Sequence, residues 1–103
     1  MKVNLFVATD PQGRVVRLTT RCYTEHIVVE HPDLADAEEI ERTIRTPDYI
    51  AQDAVDPTRL VYYRLYRRQP QRWLIKVVVE DGEIITAYRV KRLKEGERIQ
   101  WRR

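Results

Sequence analysis

The 103-residue sequence contains no serine and only one cysteine, Cys22, and these absences exclude several kinds of site. Without serine there is no serine-based catalytic triad. A single cysteine cannot form an internal disulfide, and one cysteine with two histidines does not reach the ligand count of a structural zinc site. The HExxH, CxxC and glycine-rich phosphate-binding motifs are also missing. We therefore predict no bound metal and no cofactor, and we expect Cys22 to pack in the core rather than to react.

Long apolar runs are missing as well. The longest uninterrupted stretches are a few residues, whereas a membrane span needs about 20. The N-terminus has no cleavage site typical of a signal peptide. With 43% hydrophobic and 34% charged residues, the composition is typical of a globular protein, and the length suits a single domain, residues 1–103. We expect a cytoplasmic protein with no membrane contact.

Positive charge is concentrated in the C-terminal part of the chain. Residues 1–59 carry 7 Lys or Arg and 11 Asp or Glu, whereas residues 60–103 carry 12 and 5. A basic surface is expected where a protein meets a polyanion, because neutralised phosphates release their counterions. Ordinary solvated strands with arginine on an exposed face explain the same asymmetry.

The strongest structural signal is a pair of β-branched runs around Asp81-Gly82. Gly82 can adopt the positive φ of a tight turn, so we predict a central hairpin with strands Leu74–Val79 and Glu83–Val90. Further strands are predicted at Lys2–Thr9, Arg14–Thr20, Tyr49–Ala51, Leu60–Arg68 and Arg98–Arg102, with turns at Asp10–Gly13 and Gln69–Gln71.

Two helices are predicted between the second and third strands. The first is Arg21–His31, with Thr20 as its N-cap and Pro32 ending it, and the second is Asp33–Arg45. Asp36 is a suitable N-cap for the second helix. The fold class is therefore α+β, with two short helices packed on an antiparallel sheet that ends in a C-terminal β-meander.

His26 is the sharpest candidate for chemistry, because its ordinary pKa of about 6.5 suits a general acid or base near neutrality. In a regular helix Glu30 lies one turn away and can orient it. His31, five positions after His26, would point elsewhere, so the two imidazoles would not share a metal. An ordinary helical histidine satisfied by a carboxylate also explains His26, and a cation at a helix C-terminus explains His31.

Other polar groups gain meaning in combination. Thr86 is the only polar residue in the apolar centre of its strand, although an ordinary β-branched strand residue explains it as well. The side chains that we expect to contact RNA are Arg64, Tyr66, Lys76, Arg89 and Lys91. An acid–base group, a hydroxyl and several cations suffice to cleave RNA without a metal, because the 2′-hydroxyl of the RNA is itself the nucleophile.

The order of short motifs resembles the PBECR group, phage and mobile-element proteins of the barnase, EndoU, colicin and RelE-like nuclease superfamily. The motifs are His26-Ile27, His31-Pro32-Asp33-Leu34, Pro47-Asp48-Tyr49-Ile50 with Asp53, Tyr62-Tyr63-Arg64, Val77-Val78-Val79 and Ile84-Ile85-Thr86-Ala87-Tyr88. The resemblance implies a BECR-like α+β fold and metal-independent endoribonuclease activity of the toxin or phage-nuclease type. It implies catalytic positions at His26, His31, Thr86 and Tyr88.

A second hypothesis belongs to another class of function. The basic sheet face, with the rings of Tyr62, Tyr66 and Tyr88, would serve a non-catalytic module that binds RNA or a protein partner. An acidic antitoxin or immunity protein is a partner that either hypothesis accommodates.

Overall fold

Residues 3–34, 36–68 and 71–103, which the computed structural model describes, form one seven-stranded sheet and two helices. The strands are β1 (Asn4–Thr9), β2 (Val15–Thr19), β3 (Tyr49–Gln52), β4 (Arg59–Arg68), β5 (Gln71–Glu80), β6 (Glu83–Val90) and β7 (Arg98–Arg102). The first helix, α1, consists of Thr20–Cys22, a π-helical turn at Tyr23–Ile27 and Val28–Glu30; the second, α2, is Ala37–Arg45. The predicted α+β class is confirmed.

The sheet is mixed, with the strand order β1-β2-β6-β5-β4-β3-β7. β2 runs parallel to β6, and among the described residues a single pair, Arg17 with Glu83, joins them. The other junctions between described strands are antiparallel. The predicted antiparallel sheet is therefore wrong at one junction, because β2 leads into a helical crossover and not into a hairpin turn.

The meander β4-β5-β6 is antiparallel, as predicted, and β5 turns into β6 through Asp81 and Gly82, with φ of 51° and 74°. Both positive values fit a two-residue hairpin turn. The prediction that the last strand continues the meander is wrong, because β7 pairs with β3 and not with β6. Of the predicted turn between β4 and β5, Gln69 and Pro70 lie outside the described residues.

The N-terminal hairpin is confirmed from Asn4 onward, whereas Lys2 lies outside the described residues. Its turn is held by Asp10, whose carboxylate accepts hydrogen bonds from the backbone N–H groups of Gln12 and Arg14, both at 2.9 Å. The hydroxyl of Tyr62 donates to the same carboxylate at 2.6 Å. Burial by itself would raise the pKa of Asp10, but these hydrogen bonds together hold it below its ordinary value.

Each side of the sheet has its own apolar cluster. The helix face packs against α1 and α2 and includes Tyr62, Ile75 and Ala87 from the sheet with Ile27, Ile40 and Ile44 from the helices. The opposite face carries a smaller cluster of Val61, Tyr63 and Leu74, with Leu65, Val90 and Leu93 packed against it. Successive side chains of β4 therefore alternate between the two faces. This alternation buries Tyr62 completely, so that ring is not available to stack on bases.

The helix ends follow local chemistry. Thr19, one residue before the predicted cap, accepts from the N–H of Cys22 at 3.1 Å and caps α1. Asp36 caps α2 as predicted, by accepting from the N–H of Glu38 at 3.0 Å. The predicted start of the second helix at Asp33 is wrong, since Pro32–Leu34 forms a separate 3₁₀ turn. No helix in the described part of the chain has the length and apolar character that a membrane crossing requires.

Candidate active site

The site lies along the part of the β6 edge that does not pair with β2. Because β2 contacts β6 only near Glu83, the edge beyond that point is bordered by α1 and by the Pro32–Leu34 turn. Cys22 fixes the start of α1 against this edge, with its Sγ 3.2 Å from the carbonyl oxygen of Ile84. Burial, and then the nearby charge of Glu83, raise the pKa of the Cys22 thiol. Cys22 therefore packs against the core, as predicted.

The backbone of α1 departs from a regular helix at two places. In the π-helical turn Tyr23–Ile27, the N–H of Val28 donates to the carbonyl oxygen of Tyr23, five residues earlier. The chain then leaves helical angles at His31, with φ of −132° and ψ of 62°. The following residue is Pro32, and proline disfavours α-helical angles in the residue before it. The assumption of a regular helix is therefore wrong for this segment.

His26 and Glu30 contact each other as predicted, with His26 Nδ1 3.1 Å from Glu30 Oε2. Both side chains are reachable from solvent, at 38% and 55% exposure. A carboxylate facing Nδ1 favours the tautomer with the proton on that nitrogen. His26 Nε2 is then the nitrogen with a free lone pair, as a general base requires.

His31 joins this group, contrary to the expectation for a regular helix. Its ring lies edge-on to that of His26, with the ring centroids 6.1 Å apart. On its other side His31 stacks on Tyr88, with centroids 5.1 Å apart and ring planes 28° apart. The irregular backbone of α1 therefore brings two imidazoles to one place, and Tyr88 fixes the orientation of the second.

The strand β6 supplies Thr86 and Tyr88 to the face opposite the helices. Thr86 pairs with Val78, and Tyr88 pairs with Lys76 two residues further along. Both side chains are half-buried. Four of the five predicted catalytic residues thus form a chain of contacts, from Glu30 through His26 and His31 to Tyr88, and Thr86 lies on the same face of β6 as Tyr88.

Lys76 has a different role from the predicted contact with RNA. Its side chain is only 5% exposed, and its Nζ lies 3.0 Å from Oε2 of Glu97, which is 2% exposed. Burial alone would lower the pKa of Lys76, but Glu97 and then Tyr63 raise it above its ordinary value. Lys76 is therefore a buried cation, with its ammonium group 5.7 Å from the centre of the Tyr88 ring.

The network around Lys76 includes two residues that sequence reasoning missed, Tyr63 and Glu97. The Tyr63 hydroxyl donates to Oε1 of Glu97. Burial and then this hydrogen bond raise the pKa of Tyr63 to about 12. The signal that could have found the network is a lysine inside a β-branched run, since a buried charge needs a partner.

The structure does not bring Arg64, Tyr66 or Arg89 to the two histidines. Arg64 lies on the helix face, where it forms an ion pair with Glu39 of α2. On the same face Tyr66 packs against Trp73, with ring centroids 4.4 Å apart and the ring planes tilted by 40°, and the Arg89 guanidinium lies 4.6 Å from the centre of the Trp73 ring. Arg89 is also paired with Asp33 at 2.5 Å.

Lys91 lies beside a basic groove on the opposite face of the sheet. The groove has a volume of about 730 Å³, and its floor includes Leu65 and Leu74 of the smaller apolar cluster. Its cationic lining residues are Lys91, Arg92, Arg102 and Arg103. Leu74 is two residues from Lys76 on β5, so the groove and Tyr88 share one face of the sheet.

One donor atom from each of His26, Glu30 and His31 lies within 4.8 Å of the other two. This set could hold a divalent metal, whereas the sequence predicted no metal site. In the described residues the arrangement offers an acid–base pair, an orienting carboxylate and a neighbouring cationic groove. Comparisons with protein-family models, with curated proteins and with solved structures find no match, so a function has to be argued from the geometry of this site.

Proposed function

We propose that the protein is a metal-independent endoribonuclease in which His26 and His31 form the acid–base pair. The observation that carries the proposal is the pair itself: two imidazoles 6.1 Å apart, both reachable from solvent, one held by a carboxylate and one by an aromatic ring. The motif order that resembles the PBECR nucleases supports the same function, since His26 and His31 are the histidines of that order.

The reaction is a transphosphoesterification. Nε2 of His26 removes the proton from the RNA 2′-hydroxyl, the bond between O2′ and phosphorus forms, and the bond between phosphorus and O5′ breaks. His31, in its protonated form, gives a proton to the departing 5′-oxygen. The products are a 2′,3′-cyclic phosphate and a 5′-hydroxyl, so the step consumes no water. Glu30 stabilises the imidazolium that forms at His26.

The remaining residues of the site bind the phosphodiester. Thr86 and Tyr88, which share one face of β6, position the phosphate beside the histidines. From there the RNA strand runs across the same face of the sheet into the groove, where Lys91 and its neighbouring arginines hold further phosphates. Because these contacts release counterions, RNA binding should weaken as salt rises, with a logarithmic slope of about −0.7 for each phosphate neutralised on a single strand.

A stack on the helix face favours a second candidate, a non-catalytic RNA-binding module. Tyr66, Trp73 and Arg89 lie one on another, and such aromatic and guanidinium surfaces bind unpaired bases. Trp73 of this stack lies on the helix face, whereas Tyr88, which contacts His31, lies on the opposite face. Trp73→Ala therefore separates the two candidates, since it should reduce RNA binding under the second and leave the bond-breaking step intact under the first.

The proposed nuclease is tested by incubating a mixed-sequence RNA with the wild-type protein in EDTA at low salt. His26→Ala and His31→Ala should each reduce cleavage about 100-fold or more, which is the contribution of a positioned acid or base. The matched control is Glu25→Gln, which removes an exposed carboxylate of the same helix that pairs with Arg21. The control should cleave like wild type, and all variants should unfold near the same temperature.

Cleavage by His26→Ala at the wild-type rate would refute the assignment of His26. RNA binding without cleavage by the wild-type protein would favour the binding module, and loss of that binding in Trp73→Ala would place it on the helix face.

A further inference from the structure

We propose that His26, Glu30 and His31 also form a binding site for a divalent transition-metal ion of the Zn²⁺ type, and that its occupation switches the acid–base pair off. The site itself follows from the geometry of three side chains, whereas the inhibition rests on the function proposed above. No other histidine exists in the sequence, so both imidazoles of the chain are committed to this one cluster.

The donor set matches the metal class. Imidazole nitrogen and carboxylate oxygen are ligands that Zn²⁺ accepts readily, and three protein ligands leave a fourth position for water. The 3.1 Å between His26 Nδ1 and Glu30 Oε2 is close to the separation of about 3.3 Å between two ligands in a tetrahedral zinc site. All three donor atoms already lie within 4.8 Å of one another.

The backbone of α1 explains why this set exists. His26 and Glu30 are four residues apart, a spacing that places two side chains on one helical face. A regular helix would turn His31 away, but the π-helical turn and the break at His31 bring it back. Tyr88 stacks on His31 and restricts its ring, which limits the freedom that metal binding has to remove.

Metal binding and acid–base catalysis exclude each other at this site. The Glu30 carboxylate faces Nδ1 of His26, so a metal between them replaces the proton on that nitrogen. A neutral imidazole bound through Nδ1 carries its remaining proton on Nε2, and Nε2 then cannot accept the proton of the 2′-hydroxyl. A nitrogen of His31 that holds the metal cannot deliver a proton either. The ion is therefore an inhibitor of the nuclease and takes no part in its reaction.

The first test measures Zn²⁺ binding by calorimetry with the full chain, previously freed of metal by a chelator. Wild type should bind one ion per chain. His26→Ala, Glu30→Gln and His31→Ala should each weaken binding about tenfold or more, because loss of a ligand costs at least as much as loss of a second-shell partner. Glu25→Gln should bind like wild type. Absence of binding, or equal binding by all variants, overturns the site.

The second test adds Zn²⁺ to the RNA cleavage reaction without EDTA. Wild-type and Glu25→Gln cleavage should fall over the range of Zn²⁺ in which calorimetry detects binding, and EDTA should restore it. Undiminished cleavage at saturating Zn²⁺ overturns the inhibition. One-to-one Zn²⁺ binding by a protein that never cleaves RNA supports the metal site and refutes the proposed nuclease. Cleavage of RNA by a protein that does not bind Zn²⁺ supports the nuclease and refutes the metal site.

Discussion

Glu97→Gln tests the buried network around Lys76, whose ammonium group lies over the ring of Tyr88. In the wild-type protein Lys76 Nζ lies 3.0 Å from a Glu97 carboxylate that is 2% exposed. The substitution retains an acceptor for the Tyr63 hydroxyl but removes the charge that balances the ammonium group. Removal of one partner from a buried ion pair costs about 3–5 kcal/mol, because the other charge remains buried without compensation. The free energy of unfolding should fall by that amount.

The loss is large for a chain of 103 residues. Such domains have total stabilities of about 5–15 kcal/mol, and 1 kcal/mol shifts Tm by about 4–8 °C, so Tm should fall by roughly 12 °C or more. Urea unfolding followed by circular dichroism measures the change. The slope of the unfolding free energy against urea concentration should be unchanged if the folded state is otherwise intact. The matched control is Glu41→Gln, which removes one partner of the exposed Arg45–Glu41 pair and should cost less than about 1 kcal/mol.

A second variant guards against a simple packing effect. Lys76→Met combined with Glu97→Gln removes both charges, while the amide oxygen at position 97 still accepts the hydrogen bond from the Tyr63 hydroxyl. The double variant should therefore recover most of the stability lost in Glu97→Gln. The reasoning is refuted if Glu97→Gln costs no more than Glu41→Gln. It is equally refuted if the double variant is no more stable than Glu97→Gln alone.

Three further predictions concern the fold. The pKa of Asp10 is lower in the folded protein than its ordinary value of about 4, so its carboxylate contributes fully to stability above about pH 4 and loses this contribution as the pH falls through the folded-state pKa. The difference in stability between wild type and Asp10→Asn should therefore shrink on acidification. A difference that is constant from pH 6 to pH 3 would contradict this. Gly82→Ala should destabilise more than Gly13→Ala in urea, because both glycines have positive φ but an added Cβ at Gly82 lies 3.1 Å from the Val15 carbonyl oxygen; equal losses would exclude the contact as a cause. The half-buried Cys22 thiol, with its raised pKa, should react with a disulfide reagent more slowly in the native protein than in urea, and equal rates would show it to be fully accessible.

Local chemistry made much of the fold predictable. Gly82 in its two-residue turn, the Asp10 turn and the Asp36 cap each depend on residues that are neighbours in the chain. The contact between His26 and Glu30 was predictable for the same reason, since four residues of helix bring them together.

Non-local pairing was not predictable from the same patterns. The sequence gives no local signal that β7 returns to β3, or that β2 meets β6 in parallel, because both contacts join distant parts of the chain. Lys76 was interpreted as an exposed cation because its partner, Glu97, is 21 residues away. An isolated lysine in an apolar run does indicate a buried pair, but it does not identify the partner.

The site was predictable in part. Sequence reasoning named both histidines, but a regular helical period of 3.6 residues turned His31 away from His26. The π-helical turn at Tyr23–Ile27 overrides that period, and the break before Pro32 completes the change. Sequence reasoning placed Arg64 in a strand, but strand alternation gives no information about its ion pair with Glu39.

The most direct test of the proposed nuclease is the identity of the RNA ends it produces. Wild-type protein in EDTA should convert a mixed-sequence RNA into fragments with 2′,3′-cyclic phosphates and 5′-hydroxyls, and it should leave the same RNA with every 2′-hydroxyl methylated uncut. His26→Ala and His31→Ala should produce neither end. Cleavage of the methylated RNA, or fragments with 5′-phosphates, would contradict the role of the two histidines in activating the 2′-hydroxyl.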